Sequence, residues 1–350
     1  MKTETCIFAI LLAAGLTISQ AQDTWTQKAD FGGIPRYGAV DFSIGGKGYI
    51  GTGNSNNGYQ KDFWEYDPTI DAWTQKADFG GGTRQHAAGF AIGNKGYVGT
   101  GGDGPLRKDF WEYDPTTNIW TRKADFGGVS RFTAVGFSIG TKGYIGTGTS
   151  QSCCPLHSLK DIWEYDPATD TWIRKADFGG GVRTYATGFS IGSKGYIGTG
   201  QDNDIVHKDF WEFDPTANTW SRKADFGGTA RNAAMGLSID SNGYIGTGLD
   251  VTGDKKDFWE YAPPTNSWTR KADFGGSARS WVRGFAIGSK GYVGTGAISN
   301  SNTFYKDFWE YTPATAQTNP VPLINQPLVP DAIAPGGTGF TLTVNGTGFG

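Results

Sequence analysis

The chain has 350 residues and a formal net charge of −3, its 31 basic and 34 acidic residues mixed along its length. That balance leaves no basic patch to hold nucleic acid, and the length suffices for one large domain with a well-buried core. Glycine, at 55 residues, is about twice its usual share of roughly 7%. It recurs at fixed offsets, so the excess reflects turns and excludes collagen and low-complexity disorder.

Residues 1–21 read as a secretory signal. Lys2 starts it, Ile7 to Ile18 supplies an apolar run, and Ser19-Gln20-Ala21 forms a small-x-small cleavage site before Gln22. The run is too short to span a bilayer, and no other segment is apolar enough to do so. The expected location is therefore extracellular, at the cell surface or in a periplasm. Cleavage removes Cys6 and leaves Cys153 and Cys154 as the only cysteines. With no disulfide framework, stability has to come from the core.

From residue 25 the chain repeats. Lys-Ala-Asp-Phe-Gly-Gly starts at Lys28, Lys76, Lys123, Lys175, Lys223 and Lys271, and a period near 48 residues indicates a solenoid or a propeller. Each copy carries an Arg, a Gly-Tyr-Ile/Val-Gly-Thr-Gly run, a Trp-Glu-Tyr/Phe run and a lone Trp. Four strands are predicted per repeat, as in the second copy. Ala87–Ile92 is the first, and Gly93-Asn94-Lys95-Gly96 a tight turn whose last glycine suits a positive φ. Tyr97–Gly101 and Asp109–Tyr113 are the second and third. Asp114-Pro115-Thr116-Thr117-Asn118 then turns the chain, because proline cannot sit in a central strand, and Trp120–Ala124 is the fourth. No segment holds a 3.6-residue apolar period, so helix content should be near zero.

Insertions are confined to residues 54–60, 102–107, 149–159, 201–207, 249–255 and 297–305, one loop per repeat. The first repeat opens on an orphan fourth strand, Trp25 to Lys28. The last ends at Tyr311 without one. The expected fold is all-β: a six-bladed β-propeller of four-stranded antiparallel blades, its ring closed by the N-terminal strand so that no sheet edge is left open.

The order Arg, Gly-Tyr-Ile-Gly-Thr-Gly, Asp-Phe-Trp-Glu-Tyr-Asp-Pro-x-Thr, Trp resembles the kelch repeat, which also builds the central domain of galactose oxidase. The family's Tyr and Trp match Tyr66 and Trp73, and its adjacent glycine pair is replaced here by Gly-Thr-Gly. The resemblance covers Trp25 to Tyr311 and sets the propeller domain at 22–318. After Thr318 the sequence Pro-Gly-Gly-Thr-Gly-Phe-Thr-Leu-Thr-Val-Asn-Gly-Thr-Gly-Phe is similar to the opening strands of an immunoglobulin-like domain of the transcription-factor-immunoglobulin kind. Residues 319–350 are expected to be the truncated start of such a domain, since a sandwich needs roughly 100 residues.

Antiparallel meandering puts the variable loops and the Asp-Phe-Gly-Gly…Arg segments on one face, and loops on a rigid scaffold carry binding. The ring Arg36, Arg84, Arg131, Arg183, Arg231 and Arg279 occurs six times in similar settings. It reads as structural, pairing with turn carboxylates such as Asp30 or Asp78; the rival reading is an anion-attracting rim. The residues that follow each Arg differ between copies. Tyr37, Gln85, His86, Phe132, Tyr185, Asn232 and Trp281, with Arg283, are the candidate ligand-binding set, suited to a sugar or peptide. Asp41 and Arg283 also replace apolar or Gly residues of the other copies.

No catalytic set emerges. A copper site like that of galactose oxidase lacks its ligand spacing, with only His86, His157 and His207 in the chain. Epimerase-type acid–base chemistry singles out no carboxylate, and no Gly-x-Ser-x-Gly forms the strand-to-helix elbow of serine hydrolases: Gly136-Phe137-Ser138-Ile139-Gly140 and Gly188-Phe189-Ser190-Ile191-Gly192 lie in first strands of the repeat, with no helix to follow. Neither Asp202-Asn203-Asp204 nor Asp250 with Asp254 has calcium-loop spacing. Cys153 and Cys154 are the candidate disulfide, within the longest loop. The expectation is a secreted or cell-surface, monomeric, non-catalytic binding module for a protein or glycan, without metal or cofactor. The alternative is an exported carbohydrate-modifying enzyme of epimerase or oxidase type.

Overall fold

The computed structural model describes residues 22–151, 157–202 and 205–314 in full, with the backbone of Leu323–Ile324 and Gly346–Thr347. The expected signal segment 1–21 and the Cys153–Cys154 pair lie outside the described residues. So does nearly all of 319–350, where Leu323–Ile324 pairs antiparallel with Gly346–Thr347 in a second unit of the chain.

Asp23–Pro313 forms one compact unit containing six four-stranded antiparallel sheets. No helix occurs among the described residues. In the first blade the strands are Val40–Ile44, Lys47–Gly51, Phe63–Asp67 and Ala72–Lys76, hydrogen-bonded in that order. The sixth blade is completed by the N-terminus: Thr24–Lys28 pairs with Phe308–Thr312 in the register Thr24↔Thr312 to Lys28↔Phe308. The ring is closed as the strand count requires, and the outer edge of the last blade is covered.

The core lies between blades rather than within one. Phe42, Tyr49 and Phe63 of the first blade pack with Phe79, Val98 and Tyr113 of the second, and five further clusters repeat this arrangement around the ring. Each fully buried aromatic of this kind contributes about 1.5–3 kcal/mol.

The hexapeptide repeats because the next blade packs against its Ala, its Phe and its first Gly. Ala29 N–H donates to Asp71 Oδ1 at 3.0 Å, and its carbonyl accepts from Trp73 Nε1 at 3.1 Å. Phe31 meets the Trp73 ring edge-on, centroids 5.1 Å apart. A Cβ on Gly32 would lie 2.5 Å from the Trp64 ring, so only glycine fits. At closure Trp25 makes the equivalent bond to the Ala272 carbonyl at 3.1 Å.

Two local expectations are corrected. In the hairpin Ile92-Gly93-Asn94-Lys95 the positive φ, 58°, belongs to Gly93 and not Gly96. Gly96 is buried in the second strand, where a Cβ would strike the Phe42 ring at 2.3 Å. That strand is Lys95–Gly99 and stops short of Gly101, because Thr100 and Gly101, with φ of 63° and 76°, turn the chain into the variable loop.

Candidate binding face and central channel

The six repeated arginines are wholly internal. Arg36 forks onto Asp62, Nη1 to Oδ1 at 2.5 Å and Nη2 to Oδ2 at 2.7 Å, and also donates to the Thr52 carbonyl at 2.8 Å. Its guanidinium lies 4.9 Å from the Phe31 ring centroid, and Trp64 Nε1 donates to the same carboxylate at 2.8 Å. The pattern recurs in every blade, through Asp109, Asp161, Asp209, Asp257 and Asp307. These clamps are structural and not an anion-attracting rim, but their partner is the Asp before the third strand. Asp30 and Asp78 instead meet Lys306 and Lys61 at the surface, at 3.7 and 3.2 Å.

One residue past each Arg, the chain bridges to its own variable loop, as in Tyr37↔Asn54, Gln85↔Gly102, Phe132↔Thr149 and Asn232↔Leu249. Two residues past, it reaches the channel mouth. There Gly38, His86, Thr133, Tyr185, Ala233 and Trp281 all have φ between 51° and 60°. Backbone bonds link neighbouring blades at this level: His86 N–H to Gly38 O at 2.7 Å, Thr133 to His86 at 3.1 Å, Ala233 to Tyr185 and Trp281 to Ala233 at 3.0 Å.

The expected set therefore splits. His86, Tyr185, Trp281 and Arg283 line a pocket of about 50 Å³ at the mouth. Tyr37 and Phe132 support it from behind. Tyr37 lies 5.5 Å from Trp281 and 5.9 Å from His86, and Phe132 lies 5.0 Å from His86, centroid to centroid. His86 and Phe132 are only 6% and 7% exposed, so they fill the mouth rather than present a surface. Gly38 makes this possible, since a Cβ there would meet the His86 ring at 2.9 Å. Gln85 and Asn232 are half-buried at the loop bridges and do not line the pocket; Asn232 Nδ2 donates to Gln201 Oε1.

Below the mouth runs a channel of about 370 Å³ walled by the first strand of every blade. Its lining is mostly Gly, Ala and Ser, and Asp41 and Arg283 are its only charged residues. At five blade junctions a first-strand side chain packs over glycine, as Val40 does over Gly89 and Met235 over Gly284. At the junction of the sixth and first blades, Arg283 faces Asp41 instead, Nε to Oδ1 3.8 Å. Burial pushes Asp41 up to about 6, against the pull of Arg283 and the Gly284 amide. Burial, then the Arg283 charge, pushes His86 down to about 3. Burial also lowers Arg283, which Asp41 partly offsets. No group of three or more His, Cys, Asp or Glu suited to a metal occurs among the described residues.

Sequence reasoning missed Phe304, whose ring lies 5.1 Å from Tyr37. It sits in a variable loop, where only structure shows which residue turns back against Tyr37. It also missed the loop tips. Of seven large hydrophobic side chains exposed among the described residues, Tyr59, Val129, Ile205 and Val251 all belong to this face.

No protein-family model and no curated protein matches the chain. A solved structure described as "Structure of YjhT" superposes with a TM-score of 0.70 at 15% identity, over 80% of this chain and 95% of that one. The likeness is one of fold alone. It agrees with a six-bladed propeller and carries nothing about ligand or reaction. No helix among the described residues is long and apolar enough to cross a membrane.

Proposed function

We propose that this protein is a secreted or cell-surface propeller of the kelch type, monomeric and non-catalytic, that binds a macromolecular ligand across its variable-loop face. The observation that carries the reading is the set of exposed apolar tips on that face: Tyr59, Val129, Ile205 and Val251, at 37%, 55%, 63% and 89% exposure. They project from four different blade junctions or loops, a spread suited to a broad partner surface. Of the two expected ligand classes, a protein fits better than a glycan. The mouth pocket of about 50 Å³ is far below the roughly 300–1,000 Å³ of ordinary small-molecule sites, and the larger hollow on the same face, about 760 Å³ beside Pro35, Phe304 and Tyr305, is a wide, open depression.

The test is a screen of the mature full chain against extracellular proteins and a glycan array, followed by a Tyr59→Ser/Ile205→Ser/Val251→Ser variant. A protein ligand should bind at least about tenfold more weakly to that variant, since single interface anchors contribute about 2 kcal/mol or more. Lys95→Gln and Lys194→Gln, in the turns of the opposite face, should leave affinity unchanged. The reverse pattern would overturn the reading.

The second reading, an exported carbohydrate-modifying enzyme, is favoured by one observation. Asp41, pushed up to about 6 in the channel, is tuned to give and take a proton near neutral pH. Sugar turnover abolished by Asp41→Asn would support it over the first.

A further inference from the structure

Two buried N–H donors, Trp281 Nε1 and Arg283 Nε, have no hydrogen-bond partner, and both residues line the same mouth pocket. Orphaned buried donors are uncommon in native proteins, because each loses its bond to water without gaining another. The Asp41 carboxylate, at 3.8 Å from Arg283 Nε, is beyond hydrogen-bond reach. The remaining wall is His86, Thr133, Tyr185 and Val282 with alanines, and the imidazole, pushed down to about 3, is uncharged at neutral pH.

The junction itself departs from the rest of the ring. Five times the chain solves this contact with a side chain over glycine, as Val135 over Gly188 and Thr187 over Gly236. Once, at Arg283 and Asp41, both partners are replaced by charges. Either change alone would bury an unpaired charge, which is strongly destabilising. The two together give a cation held in place but not saturated, at the edge of the mouth pocket. Arginine offers five N–H donors in a fixed fork, and the pair with Asp41 occupies none of them within bonding distance at Nε.

We propose that the pocket under the aromatic mouth binds a small monovalent anion, a carboxylate group or an ion of similar size, through the N–H groups of Arg283 and Trp281. The pocket has room for a few water-sized groups and none for a sugar ring or a phosphate ester. The proposal rests on atoms beneath the mouth and not on the loop tips, so its failure leaves the loop-face reading standing.

The experiment is thermal unfolding of the mature full chain titrated with sodium formate, acetate or chloride, with ionic strength held constant by gluconate, which is too large to enter. An anion that binds only the folded state raises the melting temperature with concentration. Formate and acetate should do so, and chloride to a comparable degree if the site reads charge and size alone; a chloride effect well below theirs assigns the site to carboxylates. Trp281→Phe keeps the ring and removes the donor, and should weaken the apparent affinity at least tenfold. Asp41→Gly/Arg283→Val recreates the Val–Gly contact of the other junctions, so it should fold, and it should abolish the effect. Stabilisation no greater than in gluconate, or an undiminished effect in the folded double variant, overturns the proposal.

Discussion

Two positions only two residues apart in each repeat behave in opposite ways. The first is Arg in all six copies; the second is Gly38, His86, Thr133, Tyr185, Ala233 and Trp281, never the same residue twice. The backbone does not explain the contrast, because the second position holds a φ of 51–60° in every copy. The space does. Each Arg occupies a chamber of its own, walled by its Asp, a Phe ring and a Thr carbonyl, so the best residue in one blade is the best in all. The six mouth side chains share one space on the axis. Six tryptophans would overlap there and six glycines would leave it open, so the set has to be mixed. Variation at the mouth therefore marks the axis of the ring before it marks any ligand.

The sharpest test of this contrast is Arg131→Met, which keeps the aliphatic bulk and removes the charge. Arg131 is fully buried, forks onto Asp161 at 2.7 Å through both Nη atoms, and donates to the Thr147 carbonyl at 2.8 Å. Burial alone would raise Asp161, but the Arg131 hydrogen bonds and charge hold it below the usual carboxylate range. Losing the partner strands that carboxylate, so urea unfolding should register a cost of about 3–5 kcal/mol. A cost under about 1 kcal/mol would show that the chamber hydrates freely, and the argument from private chambers would fail.

A smaller effect should appear with pH, from His86 and Asp41. His86, at about 3 in the folded chain against an ordinary 6.5, takes up its proton more readily when unfolded. Its contribution is complete above pH 6.5 and is lost as pH falls toward 3. Asp41, at about 6 against an ordinary 3.8, has the opposite sign: its contribution is complete below 3.8 and is lost as pH rises through 6. Between pH 6 and 4 the two oppose each other, and the wild type should change little on their account. His86→Gln removes only the acid-labile half. Relative to wild type, the variant should gain up to about 2–3 kcal/mol between pH 7 and pH 4.5, at about 1.4 kcal/mol per pH unit below 6.5. A constant difference across that range would mean that His86 meets water.

Much of this was legible in the sequence, for reasons that particular residues make plain. Ring closure followed from counting strands, because the orphan Trp25 strand had one vacancy to fill. The Arg clamps read as structural from repetition alone, yet their partner was sought at Asp30 and Asp78, which are near in sequence. Asp62 and its equivalents recur as faithfully as the arginines; what the sequence hides is that the chain returns to them after two strands. Asp41 and Arg283 stood out as departures from their copies. That they meet follows only when the sixth blade is set beside the first and the two strands are placed in register. Phe304 carried no signal, because a residue inside a variable loop has no counterpart to differ from.

The smallest expected effect closes the contrast from the other side. Trp281→Ala changes the largest residue at the mouth to one that Ala233 already holds at the same backbone angle, 51° against 55°, so no new strain is introduced. The loss is the tilted contact with Tyr37 at 5.5 Å, worth about 0.5–1.5 kcal/mol beyond area, plus the burial of a half-exposed ring. Against this, an indole N–H that has no partner in the folded chain is relieved. The net cost in urea unfolding should be about 1–2 kcal/mol, well under that of Arg131→Met. Equal costs would make the mouth as much a part of the scaffold as the clamps. The mixed residues there would then be one packed core, each fixed by its neighbours, with no freedom left for a ligand to have shaped them.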